Sequence, residues 1–188
     1  KEDIICTNRP DLTGNSLNYN EILVCEVFTN QGKMYLITFY RPPNSNNSFS
    51  ENLKRVLNNI HTESLSPRIC LAGDLNLPEI NWADMTCNSA LGRNLCSILN
   101  EHQFSQINKL PSRAENANVL DTVITNFSDA FSDTHYVESN FQTDHFMIEF
   151  QIQHKPTEKK KEKRWLYKFK EADYNELNFR IEELDLES

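Results

Sequence analysis

Long apolar runs are missing from this 188-residue sequence, and so is the pattern of a secretory leader. No stretch approaches the roughly 18 to 20 apolar residues that cross a membrane. The first residues, KEDIICTNRP, lack the charged and then apolar order of a signal peptide. We therefore expect a soluble, unsecreted protein of the nucleus or cytoplasm with no membrane partner, unless its true start lies before Lys1.

Glycine residues are also scarce, and the cysteines form no metal-binding motif. The chain has 4 glycines while 10% of its residues are aromatic, which indicates a folded chain, and its length suits one domain with a sizeable core. The five cysteines lie far apart and form neither CxxC nor a Cys/His zinc spacing: Cys6, Cys25, Cys70, Cys87 and Cys96. We expect reduced thiols, most of them packed inside the protein.

A general excess of positive charge is absent. The net charge is −8, and up to His154 the sequence has 10 Lys and Arg against 18 Asp and Glu, whereas the remainder has 9 against 9. The acidic balance therefore belongs to the first 154 residues. This argues against a protein held to nucleic acid by a broad basic surface, although a local basic loop or a bound cation could still receive phosphates.

Two β-rich runs, EILVCEVFT and KMYLITFY, predict an antiparallel pair at about 22–29 and 33–40, because Asn30-Gln31-Gly32 supplies hairpin turn chemistry. The first 20 residues have little periodicity and are interpreted as loop, with one short strand near Ile4 and Ile5. After Tyr40, two prolines in RPPNSNN end the strand.

Two amphipathic helices are predicted to follow. The first can be capped by Ser48 or Ser50, and the second runs from Ala90 to about Glu101. Their apolar residues share one face each, with Phe49, Leu53, Val56, Leu57 and Ile60 in the first and Leu91, Leu95, Ile98 and Leu99 in the second. Such helices lie against a sheet.

The second half of the chain contains further strand patterns. HQFSQINKL predicts a short strand and VLDTVITN a buried one, with an edge strand at His135 to Val137 and an alternating strand from Phe146 to Ile152. We interpret 1–153 as the domain and 154–164 as a charged linker. Residues 165–188 predict an extended piece and a helix from about 171, docked on this domain or belonging to the next one.

The stretch from Arg68 to Trp82, RICLAGDLNLPEINW, is where the chemistry first appears. A short apolar strand ends at Gly73, and Asp74 and Asn76 follow at its carboxyl end, where ligands bind in layered α/β folds. A carboxylate and an amide at this spacing could hold a divalent cation and orient a phosphate. The alternative is an Asx-turn, in which these side chains bind only their own backbone.

Three more strand ends carry polar or ionisable side chains: Tyr40 to Asn44, Asp121, and Asp144 with His145. Neighbouring strands would bring them to one rim. Asp121 paired with His145 would orient a general base or a phosphate-binding group. Asp74 and Asp144 could hold Mg²⁺, and Asn76 and Tyr40 could donate to a phosphoryl oxygen.

Structural explanations exist for each of these residues. Tyr40 could be a core aromatic with a surface hydroxyl, and an Asp–His pair could be a capping detail. Asp121 is the hardest to explain in this way, because an acid within an apolar strand requires a partner. The other histidines lack such a context and are treated as surface or packing residues: His61, His102, His135 and His154.

The order of four blocks, FYRPPNSN, LAGDLNLPEINW, PSR with LDTVITN, and TDHFMIEF, resembles the endonuclease/exonuclease/phosphatase family. More narrowly it resembles the apurinic-type endonuclease domain of non-LTR (LINE-like, jockey or CR1-type) retrotransposon polyproteins. The resemblance covers about residues 20–152, and WLYKFKEADYNELN is similar to the segment that joins such a domain to a reverse transcriptase. It implies an α/β, four-layered sandwich of the DNase I-like type.

The resemblance also implies a Mg²⁺-dependent (or Mn²⁺-dependent) cleavage of one DNA phosphodiester that leaves a 3′-hydroxyl for reverse transcription. By its motifs, Asp74 helps activate water, Asn76 and Tyr40 contact the phosphate, Asp121 orients His145, and His145 holds or protonates phosphoryl oxygens. Asp144 lies beside the metal together with Asp74, and Asn44 and Arg113, the latter in the loop 111–118, contact DNA. Thr143 stands where the family usually has serine.

One departure from the family concerns its first third. The asparagine near the amino terminus and the metal-binding glutamate have no counterpart here, since Glu2, Glu21 and Glu26 have different surroundings. We expect either a piece of a longer polyprotein or a decayed copy. The competing hypothesis is a non-catalytic remnant that at most binds nucleic acid or a protein; a weaker one is a small-molecule or lipid phosphatase of the same superfamily.

Overall fold

The computed structural model describes residues 4–13, 21–29, 32–43, 48–111, 118–137, 143, 145–153 and 173–183. The chain divides into two units, residues 1–156 and 157–188. The first unit holds both sheets and three of the four α-helices that the described residues form.

A six-stranded mixed sheet runs through the first unit in the order β1-β2-β3-β4-β6-β5. Only the neighbours β3 and β4 are parallel; the other pairs are antiparallel. The strands are β1 (Ile5–Asn8), β2 (Ile22–Thr29), β3 (Gly32–Tyr40), β4 (Ile69–Asp74), β5 (Ser105–Gln106) and β6 (Asp121–Thr125).

Helices cover one face of this sheet. They are α1 (Pro10–Thr13), α2 (Ser48–Glu63) and α3 (Ala90–Glu101). The Ser89 side chain accepts the N–H of Gly92 and so caps the start of α3. The apolar faces of α2 and α3 pack on alternate strand residues such as Tyr35, Ile37 and Phe39 of β3, which makes this the larger of two cores.

The opposite face of the sheet packs on a second, two-stranded antiparallel sheet of β7 (Phe131–Val137) and β8 (Met147–Ile152). Met34, Cys70 and Val123 are buried between the two sheets, against Phe131 and Phe150 among others. The described residues thus form three layers, helices, sheet and sheet, of an α/β sandwich. Both core layers meet at β4, whose first three residues are buried.

Most of the expected elements are present at the predicted places. The β2–β3 hairpin, both amphipathic helices and the strands at β4, β5, β6 and β8 agree within a few residues, and α3 agrees at both ends. The five cysteines are free, as expected; Cys70, Cys87 and Cys96 are buried, whereas Cys6 is exposed.

Two expectations need correction. Residues 10–13 form a helical turn instead of loop, because Pro10 suits a first helical position and Leu12 is buried in the larger core. The edge strand begins at Phe131 instead of His135, since Phe131 pairs with Ile152 and packs between the sheets; a bulge separates its two parts.

The second unit contributes helix α4 (Tyr174–Glu183), which starts three residues later than expected. Asp173 explains the start, because its Oδ1 accepts the N–H groups of Asn175 and Glu176 at 3.0 and 3.1 Å. No helix among the described residues combines the length and the apolar character that a membrane crossing requires.

Candidate active site

Two carboxylates meet where β4 ends and β6 begins. Asp74 is the last residue of β4 and Asp121 the first of β6, and they face each other in the antiparallel register. Beyond them, the N–H of Leu75 still donates to the Leu120 carbonyl at 2.9 Å. Paired residues project to the same side of a sheet, which here is the side of the second sheet.

His145 joins the two carboxylates from the segment before β8. Its Nδ1 lies 3.0 and 3.1 Å from the two carboxylate oxygens of Asp121, and its backbone N–H donates to Thr143 Oγ1 at 3.2 Å. An ionised carboxylate only accepts, so Nδ1 carries the proton of this hydrogen bond. Both side chains are partly buried, with 20% of Asp121 and 34% of His145 exposed.

Asp74, Asp121 and His145 together form a cluster in which one ligand atom of each lies within 4.8 Å of the others. Mg²⁺ takes one or two carboxylates and keeps several waters, which this donor set and its partial burial allow. Zinc prefers three or four converging nitrogen or sulfur ligands, and the described cluster offers one imidazole whose Nδ1 already binds a carboxylate. The residues therefore fit a hydrated magnesium or manganese ion better.

In the turn after β4, Asp74 both forms an Asx-turn and belongs to the candidate metal cluster, the two alternatives that the sequence left open. The N–H of Asn76 donates to Asp74 Oδ1 at 3.1 Å, which is an Asx-turn, and Asn76 has a φ of 49°, which asparagine tolerates. The turn fixes one oxygen of the Asp74 carboxylate. The structural bond therefore orients Asp74 without removing it from the cluster.

Arg41 is a residue whose importance the sequence did not reveal. Its guanidinium donates from Nη1 to the carbonyls of Leu75 and Asn76 at 3.3 and 3.1 Å, while its own carbonyl accepts Asn76 Nδ2 at 3.0 Å. Arg41 is 4% exposed, and this burial lowers the pKa of its guanidinium. The side chain thus fastens the turn after β4 to the end of β3.

Asn108 was also missed, because it stands in the short run INKL without any motif. It is fully buried, and its side-chain amide bonds to the backbone of β6 on both sides of Thr122. In retrospect, the signal for both residues was a polar side chain next to an apolar strand.

Tyr40 lies beside Asp74 in the parallel register of β3 and β4, and half of it is exposed. Next to the cluster, a cleft of about 420 Å³ is lined by Arg41, Pro43, Asn76, Leu77, Glu79 and Asn118, among others. The expected Tyr40 and Asn76 are therefore brought to the same rim as Asp74.

Three expected site residues, Asn44, Arg113 and Asp144, lie outside the described residues. Glu26 does not reach the cluster. It pairs with Tyr35 in the middle of the sheet and forms ion pairs with Lys33 at 2.6 Å and Arg9 at 3.3 Å. It is therefore a structural acid.

Comparison with known protein families gives a match over more than half of the chain. The model of a family described as endonuclease-reverse transcriptase matches residues 34–149, a stretch that contains the clustered residues and Tyr40. No curated protein gives a significant match to the chain.

Three solved structures illustrate the similarity in fold. The endonuclease domain of TRAS1, a telomere-specific non-LTR retrotransposon, has a TM-score of 0.62 at 21% identity, covering 82% of this chain and 68% of that one. The AP endonuclease LMAP from Leishmania major has a TM-score of 0.57 at 13% identity, covering 76% of this chain and 57% of that one. The human Nocturnin catalytic domain with bound sulfate has a TM-score of 0.50 at 13% identity, covering 81% of this chain and 61% of that one.

The structural similarity to these proteins shows a shared fold, the DNase I-like α/β sandwich, as expected from the sequence motifs. The chain spans less than two thirds of the Leishmania and human domains.

Proposed function

The chain belongs to the endonuclease-reverse transcriptase family, and from that premise we propose that it is the divalent-metal-dependent DNA endonuclease domain of a non-LTR retrotransposon. The observation that carries the proposal is the Asp74, Asp121 and His145 cluster, in which an acid-oriented imidazole lies next to a second carboxylate. The reaction is hydrolysis of one DNA phosphodiester. Its 3′-hydroxyl product would prime a reverse transcriptase in the same polyprotein.

The side chains divide the work as follows. Asp74 accepts a proton from the water whose oxygen bonds to phosphorus, while the bond from phosphorus to the 3′-oxygen breaks. The 3′-oxygen takes up a proton from solvent water, and the phosphorus stays on the other product as a 5′-phosphate. Asp121 holds His145 by Nδ1, so that the imidazole holds or protonates a phosphoryl oxygen. Asn76 and Tyr40 donate to the same phosphate, and Asn44 and Arg113 contact the DNA.

A divalent cation, Mg²⁺ or Mn²⁺, would be held by Asp74 with Asp144, and it would supply positive charge against the phosphoryl oxygens. The acidic character of the first 154 residues makes such a cation useful, because the carboxylates at the cluster would otherwise repel a phosphate.

Plasmid nicking tests the proposal. The chain, and a version extended at its amino end, are incubated with supercoiled DNA and Mg²⁺. We expect Asp74→Ala and His145→Ala to lower the nicking rate by about 10²- to 10⁴-fold. His135→Ala is the matched control, since His135 also pairs with an acid, Glu149 at 3.1 Å, but both of these side chains are exposed.

The catalytic role is rejected if neither version nicks DNA, or if the two site variants nick as fast as His135→Ala. The second candidate is then a non-catalytic remnant that binds nucleic acid or a protein partner. The engagement of Glu26 in ion pairs favours it, because that acid is not available as a further metal ligand. Tight Mg²⁺ binding to the chain alone, measured by calorimetry, would count against the remnant.

A further inference from the structure

Strand β5 does not extend alongside the first residues of β6, so the backbone near Asp121 has no strand partner on that side. The β5–β6 ladder pairs Ser105 with Thr125 and Gln106 with Ile124, and a last backbone bond joins Ile107 N–H to the Val123 carbonyl at 2.8 Å. Past this point the ladder would leave the N–H of Val123 and the carbonyl of Asp121 facing the protein interior. Such buried backbone groups require partners.

The side chain of Asn108 supplies both partners. Its Oδ1 accepts the Val123 N–H at 2.7 Å, and its Nδ2 donates to the Asp121 carbonyl at 2.8 Å. One carboxamide thereby takes the place of the next peptide group of β5. Asn108 is fully buried, so water does not compete for these bonds.

Through its bond to the Asp121 carbonyl, Asn108 holds the backbone of the residue whose carboxylate binds His145. On its other side Asp121 pairs with Asp74 of β4. The backbone that carries the Asp121 carboxylate is therefore held from both sides. The contacts of that carboxylate with His145, at 3.0 and 3.1 Å, depend on where this backbone lies.

We propose that Asn108 is a positioning residue of the site, whose carboxamide fixes the start of β6 and thereby the hydrogen bond between Asp121 and His145. The proposal deepens the proposed nuclease function, because it concerns the same cluster. Small misplacements at a catalytic group can cost about 10²-fold in rate. The two side-chain bonds of Asn108 go to the backbone of β6, so in this role Asn108 acts through Asp121 and not on the substrate.

Asn126 offers a matched control at the opposite end of the same strands. Its Oδ1 accepts the Ile69 N–H at 2.9 Å and its Nδ2 donates to the Pro67 carbonyl at 2.8 Å. It therefore makes the same two kinds of bond to the backbone, but at the start of β4 instead of its end. A variant of Asn126 loses equivalent bonds without touching the start of β6.

The test is a measurement of the His145 side-chain proton on Nδ1 by nuclear magnetic resonance in the ¹⁵N-labelled chain. Asp121→Asn serves to assign the signal. We expect Asn108→Ala to abolish that resonance or to make its exchange with water at least about tenfold faster, whereas Asn126→Ala leaves it as in the wild type. The readout needs no turnover, so it can succeed even where nicking fails, and the two proposals are tested separately.

Asn108→Ser is the second variant, to be used if Asn108→Ala does not fold. Its short hydroxyl can reach only part of the gap, so we expect exchange between that of the wild type and that of Asp121→Asn. The positioning role is overturned if the resonance in the folded Asn108 variant matches the wild type, or if Asn126→Ala changes it as strongly. In the active protein, the role further predicts a lower kcat with little change in KM.

Discussion

At the scale of single residues, three buried or half-buried polar side chains replace backbone partners. Arg41 donates hydrogen bonds to the carbonyls of Leu75 and Asn76. Asn108 bonds to the backbone of β6, and Asn126 bonds to the backbone at the start of β4. Each fills a gap where a strand ends before its neighbour does. Since an unpaired buried backbone group costs about 1–3 kcal/mol, these side chains support strand ends that would otherwise open.

His102 leads to a prediction about the stability of the fold at acid pH. It stacks on His61, with its Nδ1 3.1 Å from His61 Nε2, and its Nε2 is buried with no hydrogen-bond partner in the part of the chain that the structure describes. Burial lowers the pKa of His102; His61 and Lys54 act in the same direction and Glu101 opposes them. Protonation would bury a charged N–H without a partner.

The lowered pKa of His102 determines how stability changes with pH. A histidine whose pKa is lower in the folded than in the unfolded chain contributes stability above the unfolded pKa of about 6.5, and that stability is lost as the pH falls below it. We expect the free energy of unfolding, measured with urea, to fall less between pH of about 7.5 and about 5.5 in His102→Gln than in the wild type. Asn100→Ala, an exposed neighbour on α3, should keep the wild-type slope; equal slopes for all three proteins would contradict the prediction.

Some site residues could be predicted from the sequence and others could not. Asp74 and Asp121 stand out because a carboxylate interrupts or ends an apolar strand, and the hydrogen bond of Asp121 with His145 satisfies the partner that such an acid requires. Arg41 and Asn108 act through bonds to backbone atoms 13 to 35 positions away. No local pattern marks such bonds, because they depend on which strands become neighbours.

At the scale of elements, β3 and β4 approach closely at Gly73. A Cβ at this position would lie 1.9 Å from the Phe39 carbonyl oxygen, which is backbone and cannot rotate away. We expect Gly73→Ala to destabilise the fold by at least about 3 kcal/mol, since the strands would have to separate next to Asp74. Urea unfolding of the purified variant measures the change.

The neighbouring exchange, Ala72→Gly, is the control for this prediction. Ala72 faces the second sheet, where removal of its methyl group and added backbone freedom cost about 1–2 kcal/mol. If both variants lose the same stability, the close approach of the two strands is not the cause.

Elements could be predicted where their signal is local. Helix α3 has a serine cap and an apolar face in its own sequence, and its bounds agree at both ends. Helix α1 has only four residues, too few for a period, and the first half of β7 is a strand because it pairs with β8. These two depend on packing partners that a local pattern does not contain.

At the scale of the whole molecule, acidic and basic residues predominate in different parts of the sequence. Up to His154 the excess of acids gives −8, while basic residues are dense at Lys159, Lys160, Lys161, Lys163 and Arg164. Several described basic side chains of the first unit are already engaged by acids, among them Arg9, Lys33 and Lys54. The proposed nuclease function therefore predicts that a DNA phosphate is received through a divalent cation and a few local donors.

This leads to a prediction about salt. If two or three phosphates are contacted, the logarithm of the DNA association constant should fall with the logarithm of the salt concentration with a slope of only about −2 to −3. Fluorescence anisotropy with a labelled duplex measures it, in Mg²⁺ and in EDTA, and we expect weaker binding in EDTA. Replacing the five basic residues of 159–164 by glutamine is the control and should leave the slope nearly unchanged. A slope steeper than about −5 that this replacement removes would instead assign DNA binding to the basic run, because a site that works through one cation cannot release that many counterions.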